Sequence, residues 1–202
     1  MMRQIRARVR RSRLASERGQ SMIEMAMVSP FIVVLVLGLI ELSWGLLDQH
    51  IVTKLSREGS NLISRDSTLD EAAAAMRAMS TGPIDFSSRS KATFSVIKWL
   101  DMPGAANDNT IVMYQRFSFG SAPGTSRFSC SCSQSDFGSG PDYIGTTWST
   151  NAKYRVTGVP AGALTKGSSL YVTEIWTQHD LITPFNRFGF SVPTSLYSIA
   201  YF

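Results

Sequence analysis

A long apolar run near the N-terminus constrains the fold of this chain more than any other feature. From Met25 to Ile40 there are 16 residues without a charged side chain, and the hydrophobic stretch continues past Glu41 to Leu47. At 1.5 Å per residue, about 23 residues make a helix of roughly 34 Å, which is long enough to cross a bilayer core of about 30 Å. A buried helix of a soluble protein is the alternative, although few such helices are apolar on every face. The sequence therefore predicts one membrane-spanning helix.

The basic residues of the chain are concentrated before this run. Of its 202 residues, those before residue 20 include seven arginines and one glutamate, and the rest carry 13 basic and 14 acidic side chains. The net charge of +5 thus belongs to the leader, and the remainder lacks the basic patch that binding to a nucleic-acid backbone requires. Because positive charge stays on the cytoplasmic side of a membrane, we expect the N-terminus in the cytoplasm and residues after about 47 outside.

Six residues from Gly19 to Glu24 join the basic leader to the apolar run. They read Gly-Gln-Ser-Met-Ile-Glu, and a small residue followed five places later by a carboxylate at the start of a membrane helix is the layout that prepilin peptidases cut. Cleavage after Gly19 would leave Gln20 as the first residue. A carboxylate in the hydrocarbon costs about 2.5–3.5 kcal/mol, so Glu24 is expected to have a partner. The new α-amino group of Gln20, in the same or a neighbouring subunit, would supply one; the alternative places Glu24 in the headgroup layer without a role.

Two other interpretations of this N-terminus remain open. A conventional signal peptide and an uncleaved signal anchor also have a basic start and an apolar middle. The apolar part of a signal peptide is usually shorter and ends at a small-residue cleavage site, whereas Glu41-Leu-Ser-Trp-Gly45 follows here. A conventional signal peptide also gains nothing from Glu24.

The apolar run carries further marks of a packed helix. Pro30 has no N–H to donate to the preceding turn, so a bend is expected there. Four residues share an arc of about 80°: Gly38, Glu41, Gly45 and Asp48. Glycines beside an acid allow another helix to approach and give it a polar group to meet. In the alternative, Glu41 marks the outer membrane interface, where Trp44 would be an anchor.

These residues together resemble a known family. The stretch Gly19–Gly59 is similar to the TadE-like pilus assembly proteins, minor pseudopilins of the tight-adherence (Flp, type IVc) pilus system. The residues that carry the resemblance are Gly19, Glu24-Met25-Ala26, Pro30, Gly38-Leu-Ile-Glu41 and Ser56-Arg57-Glu58-Gly59-Ser60. More loosely, Tyr171–Trp176 and Leu181–Phe185 resemble the late strand of the family and the turn that follows it.

The resemblance implies processing by an aspartic prepilin peptidase, with Gly19 as the last leader residue and Glu24 as the recognition and assembly carboxylate. It implies a role in pilus assembly at the bacterial inner membrane, with a cytoplasmic N-terminus and a periplasmic C-terminal domain. The lipid bilayer, other Tad pilus subunits and inner-membrane platform proteins are the partners it implies. Arg57 and Glu58 would then be more than a solvated charge pair. The alternative function is a signal-anchored extracytoplasmic binding or enzyme module.

The rest of the chain predicts an α+β fold. Its expected parts are a leader at 1–19, a transmembrane helix at 20–47, an extracytoplasmic helical segment at 48–82 and a β-rich domain at 83–202. A second helix is expected to start at Thr68, in a capping box with Glu71, and to end before Gly82-Pro83. Five segments rich in β-branched and aromatic residues predict strands of an antiparallel sheet: Thr93–Leu100, Thr110–Phe119, Ala152–Gly158, Leu170–Gln178 and Ser195–Phe202.

Cys130 and Cys132 are the only cysteines, and both lie in a Gly/Ser-rich segment. Outside the cytoplasm a disulfide is chemically favoured, but two residues apart on an extended strand the Cα atoms are about 6.6–6.8 Å from each other, so a tight turn is needed. Free or intermolecular thiols and metal binding stay open as alternatives. Zinc would need further ligands, and only His50 and His179 exist. His179, beside Asp180, is expected to be a surface residue.

The sequence contains no motif that predicts catalysis. There is no Gly-x-Ser-x-Gly segment, no pair of residues with metal-ligand spacing and no glycine loop of the kind that holds phosphates. Neither an enzymatic activity nor a cofactor or metal is expected.

Overall fold

The computed structural model describes residues 2–183 and 193–202, with side chains from Gly19 onward. The α+β prediction is confirmed. A long helix, a shorter helix and four strands follow one another: α1 (Met2–Ser64), α2 (Leu69–Met79), β1 (Ser90–Trp99), β2 (Ile111–Gly120), β3 (Ser169–Gln178) and β4 (Ser195–Tyr201). Residues up to Trp44, with Ile182 and Thr183, form one compact unit, and Gly45–Leu181 with residues 193–202 form another.

In the first unit α1 is exposed and apolar. Side chains from Met22 to Ile40 are exposed on nearly every side, and among them Phe31 keeps 77% of its surface accessible. By length and composition α1 has one stretch that can cross a membrane. Pro30 lies inside the helix, which is continuous to Ser64. The bend expected at Pro30 stays a prediction.

The second helix begins as the sequence predicts. The Thr68 hydroxyl accepts a hydrogen bond from the Glu71 backbone N–H at 3.2 Å, and the Thr68 N–H donates to the Glu71 carboxylate at 3.1 Å. This reciprocal capping box satisfies two backbone donors that the first helical turn leaves unpaired. The helix ends at Met79, before Gly82, whose φ is +66°.

The four strands form one antiparallel sheet in the order β2-β1-β3-β4. Four of the five predicted strands are confirmed, with ends that differ by a few residues. The prediction for Ala152–Gly158 is wrong, because this segment begins as a 3-10 helix at Ala152–Tyr154. The Asn151 side chain caps that turn by accepting from the Lys153 N–H, and the residues after it make only isolated bridges.

Each face of the sheet supports its own apolar cluster. On one face, α1 and α2 pack on β1 and β3 through residues such as Val52, Met76, Phe94 and Ile175. On the other, the long segment between β2 and β3 covers the sheet; its largest buried side chains are Phe128, Phe137 and Tyr154. Tyr171–Trp176, the segment that resembles the late strand of the TadE-like family, lies within β3. Of the segment that resembles the following turn, Pro184 and Phe185 lie outside the described residues.

At Gly59 the backbone of α1 comes close to this sheet. A Cβ atom at this position would lie 2.8 Å from the Sδ atom of Met76 and 2.8 Å from the Cγ2 atom of Thr173. The Met76 side chain can move, but Thr173 is fixed in β3. The glycine therefore lets the helix backbone pack directly on the strand.

We expect Gly59→Ala to destabilise the domain. Overpacking costs about 1–3 kcal/mol, which exceeds the gain of about 1 kcal/mol that alanine brings to a helix interior. Gly45→Ala is the matched control, because its Cβ would lie 3.8 Å from His179 Nε2, an ordinary contact distance. Thermal unfolding in detergent, followed by near-ultraviolet circular dichroism, measures both variants. A Gly59→Ala protein as stable as the Gly45→Ala protein would contradict the close packing.

Candidate functional site

The predicted processing residues lie on the exposed, N-terminal part of α1. Nothing lies within 4 Å of the position that a Gly19 Cβ would take. One helical turn later, the Gln20 side-chain amide donates to the Glu24 carboxylate at 3.1 Å, and both residues are exposed. The helix thus places the first and fifth residues of the predicted mature chain beside each other. The leader arginines, at residues 3–18, lie outside the described side chains.

Glu41 is buried although it follows an apolar run. Only 5% of its surface is accessible. Its carboxylate accepts hydrogen bonds from the Thr183 N–H at 2.9 Å, from the Thr183 hydroxyl at 2.7 Å and from the Ile182 N–H at 3.4 Å. These described partners belong to the same chain and are 141 and 142 residues away. The acid is therefore engaged inside the molecule, and Trp44, 46% exposed, remains on the helix surface.

Asp48 and His179 form a second buried polar contact, in the other unit. The His179 Nδ1 atom lies 2.6 Å from Asp48 Oδ2, and the two side chains are 4% and 9% exposed. The expectation that His179 is a surface residue is wrong. Gly45 lies one turn before Asp48, and a Cβ atom there would be 3.8 Å from His179 Nε2, an ordinary contact distance. No local pattern in the sequence could reveal a pair whose members are 131 residues apart.

The Arg57-Glu58-Gly59 motif divides between two environments. Arg57 and Glu58 are exposed, whereas Gly59 is buried against β3. Beside it, the Ser56 hydroxyl lies 2.8 Å from the Ser198 hydroxyl, and the Ser60 hydroxyl donates to the Ala200 carbonyl at 2.8 Å. Small residues thus attach α1 to the sheet, and the two charged side chains remain available on its surface.

One segment of the chain matches a known family. Residues 19–61 match the family model of TadE-like proteins. The chain carries a TadE-like segment. The match includes the predicted processing residues, the apolar run and the Arg57-Glu58-Gly59 motif, and it confirms the resemblance deduced from the sequence. No curated protein and no solved structure matches the chain significantly. A TadE-like segment suggests a Tad pilus-associated role and association with other Tad pilus proteins.

Outside the TadE-like segment, a buried carboxylate on β3 holds a loop against the sheet. Glu174 is fully buried and accepts from the Arg127 N–H at 2.8 Å, from the Tyr197 hydroxyl at 2.7 Å and from the Ser126 hydroxyl. Burial, together with the Glu174 carboxylate, raises the pKa of Tyr197. A carboxylate with three donors avoids the cost of burying an unpaired charge. The sequence did not predict that Glu174 holds a loop, although an acid within an apolar strand is a signal for a buried polar contact.

The two cysteines lie in the segment that covers the second apolar cluster. In the structure Cys130 and Cys132 form a disulfide, with Cα atoms 5.1 Å apart, closer than two residues of an extended strand. Both side chains are half-buried against that cluster. The Nη1 atom of Arg116 is 3.9 Å from Cys130 Sγ. Among the described residues there is no group of three or more potential metal ligands.

A shallow surface cavity of about 300 Å³ lies where α2 meets the start of β1. Its lining includes Arg77 and Asp85. Asp85 accepts hydrogen bonds from Ser87 and Ser88, and these bonds lower its pKa to about 2. The carboxylate is thus engaged by neighbours in its own loop.

We expect Glu41→Ala to release residues 182 and 183 from α1. A hydrogen bond to a charged acceptor contributes about 1.5–3 kcal/mol, so amide exchange of Thr183 should accelerate by roughly 10–100-fold. Hydrogen–deuterium exchange and mass spectrometry of the peptide that contains both residues measure this in detergent. Glu58→Ala, which removes an exposed acid of the same helix, should leave the exchange rate unchanged. Equal exchange in the Glu41→Ala and unmutated proteins would contradict the contact.

Proposed function

We propose that the protein is a minor pseudopilin that acts in assembly of a tight-adherence pilus at the bacterial inner membrane. The observation that carries the proposal is the TadE-like match over residues 19–61, which coincides with a helix apolar enough to span a membrane. In this proposal the N-terminus is cytoplasmic, α1 crosses the membrane once and the sheet domain is periplasmic. The prepilin peptidase, other Tad pilus subunits and platform proteins of the inner membrane are its partners.

Glu24 has the central role in the proposed assembly step. As long as the leader is attached, the nitrogen of Gln20 is a peptide amide without charge. Cleavage after Gly19 turns it into an ammonium group, one helical turn from the carboxylate. A cation at this depth would stabilise a carboxylate that is costly to keep in the hydrocarbon. The hydrogen bond between Gln20 and Glu24 supports this proposal, because it shows that groups of these two residues reach each other on α1.

The packing of α1 supports a structural role rather than a catalytic one. Its N-terminal half exposes apolar side chains to the surroundings, and its C-terminal half is attached to the sheet through Ser56, Gly59 and Ser60. Attachment of α1 to the sheet through small residues supports a structural role for this helix.

Processing after Gly19 is directly testable. We expect the protein from cells with the prepilin peptidase to begin at Gln20, and the protein from cells without it to keep residues 1–19. Mass spectrometry of the intact purified protein distinguishes the two. Gly19→Val should block the cut, because a branched side chain replaces the small residue at the cleaved bond, while Gly38→Val should still be cleaved. An intact leader in both strains would favour a signal-anchored module without a pilus function.

Glu24→Ala should reduce pilus formation much more than processing, because the proposed cation exists only after the cut. We expect normal removal of the leader and a pilus yield lower by about tenfold or more, in line with loss of one intramembrane charge pair. Glu17→Ala is the matched control, since it removes an acid from the segment that the peptidase discards. Pilus yield is measured by immunoblotting of sheared surface fractions. Normal pili in the Glu24→Ala strain would count against the pairing.

A further inference from the structure

The two edges of the sheet differ in how their backbone groups are satisfied. Along β2, the Tyr114 carbonyl accepts from the Gly145 N–H at 2.9 Å, and the Ile111 carbonyl accepts from the Val156 N–H at 2.9 Å. On the same edge, the Arg116 N–H donates to the Tyr143 carbonyl at 3.3 Å. The chain therefore covers this edge with its own loops.

Among the residues that the structure describes, no loop pairs in this way with the opposite edge, formed by β4. Tyr171 and Phe202 exchange both backbone hydrogen bonds, at 2.9 and 3.0 Å, so the even-numbered residues of β4 face β3 and the odd-numbered residues face outward. Within the described residues, the outward backbone groups of Ser195, Ile199 and Tyr201 make no hydrogen bond. The Tyr197 carbonyl accepts only a long bond, 3.3 Å, from the Gln49 side chain.

The side chains of this edge do not protect it from another strand. Lysines, prolines and inward-pointing charges usually protect an exposed edge, yet residues Ser195–Phe202 include none of these. Instead, Tyr201 and Phe202 keep 50% and 58% of their surfaces exposed. Tyr201 lies on the sheet face opposite α1, since Ser198 and Ala200 contact that helix. An apolar side chain of an added strand would meet Tyr201 on that face.

The other face of an added strand would meet the flank of α1. Around this helix, Gly59 packs on β3, and Ser60 donates to the Ala200 carbonyl of β4. In the same rotational direction, Arg57 follows Ser60 by about 60°, so it lies beyond the β4 edge, whereas Lys54, at about 120°, lies on the side of α1 away from the sheet. Arg57 is exposed, and no ion pair among the described residues involves it. An exposed cation therefore borders the β4 edge.

A second copy of the chain does not fit this edge through antiparallel pairing of β4 with β4. Gln49 contacts Tyr197 and Ser60 contacts Ala200, so α1 and β4 run in the same general direction. A two-fold axis between the paired strands would place the Gly45 ends of the two helices at opposite ends of the dimer. Two copies anchored in one membrane through the preceding residues need these ends on the same side.

We propose that the β4 edge, with Arg57, binds an extended segment of another protein as a fifth strand of the sheet. Side chains of that segment alternate, with apolar residues on the face of Tyr201 and acidic residues on the face of α1. The backbone of Ser195, Ile199 and Tyr201 supplies the hydrogen bonds, and Arg57 selects the charge. This inference requires the membrane anchor but not the pilus role, so a leader left intact by the peptidase would not affect it.

Peptide binding to the full chain tests the proposal. The protein is placed in nanodiscs of neutral phosphatidylcholine, and the probe is a fluorescent ten-residue peptide of alternating valine and glutamate. Two control peptides are compared with it: an alternating valine–lysine peptide, and a peptide of the same composition with its valines and glutamates in separate blocks. We expect the valine–glutamate peptide to bind at least about tenfold more tightly than either control. Fluorescence anisotropy measures all three.

Matched variants distinguish binding at the β4 edge from attraction of the peptide to the basic leader, because every variant carries the same leader. Arg57→Glu should weaken binding of the valine–glutamate peptide at least about tenfold and strengthen that of the valine–lysine peptide. Tyr201→Pro removes an outward N–H and should abolish binding, whereas Tyr201→Phe should retain it; circular dichroism checks that each is folded. Equal binding of the alternating and block peptides, no effect of Arg57→Glu, or no binding at all would overturn the proposal.

Discussion

The structure depends on one helix that must satisfy two different surroundings. From Met22 to Ile40, α1 exposes apolar side chains on nearly every side, which suits lipid and not water. From Asp48 onward, one side of the same helix is buried against a sheet, and its contacts are made by small residues such as Ser56, Gly59 and Ser60. Because the helix is continuous, the anchor and the domain share a single backbone.

Buried acids account for much of the long-range organisation. Glu41 is engaged by Thr183, Asp48 by His179 and Glu174 by a loop and by Tyr197. A carboxylate removed from water without partners would be strongly destabilising, so each of these contacts ties its own segment firmly in place. All three connect residues that are far apart in the chain, and the Glu174 contacts hold Ser126 and Arg127 against the sheet.

The proposed function agrees with this organisation. A subunit that takes part in assembly needs an anchor, a domain held at a defined place and surfaces for partners. The TadE-like segment includes the candidate membrane span, the residues that attach α1 to the sheet and Arg57, whereas the β4 edge lies beyond that segment. The match to the family ends at residue 61, so it carries no information about what binds the sheet, and a partner there is inferred from the structure.

The sequence by itself determined the local elements, because their signals are periodic and short in range. An uninterrupted apolar run predicted the candidate span, Thr68 and Glu71 predicted the start of α2, and alternating β-branched residues predicted four strands. The same reasoning was wrong for Ala152–Gly158, where Asn151 caps a 3-10 turn that competes with the strand, and for His179. Only the tertiary structure decided that Asp48 meets His179, that Gly59 meets Thr173 and that loops of the chain cover the β2 edge of the sheet. The first two outcomes depend on residues more than 100 positions apart meeting in the folded chain, and no local pattern records them.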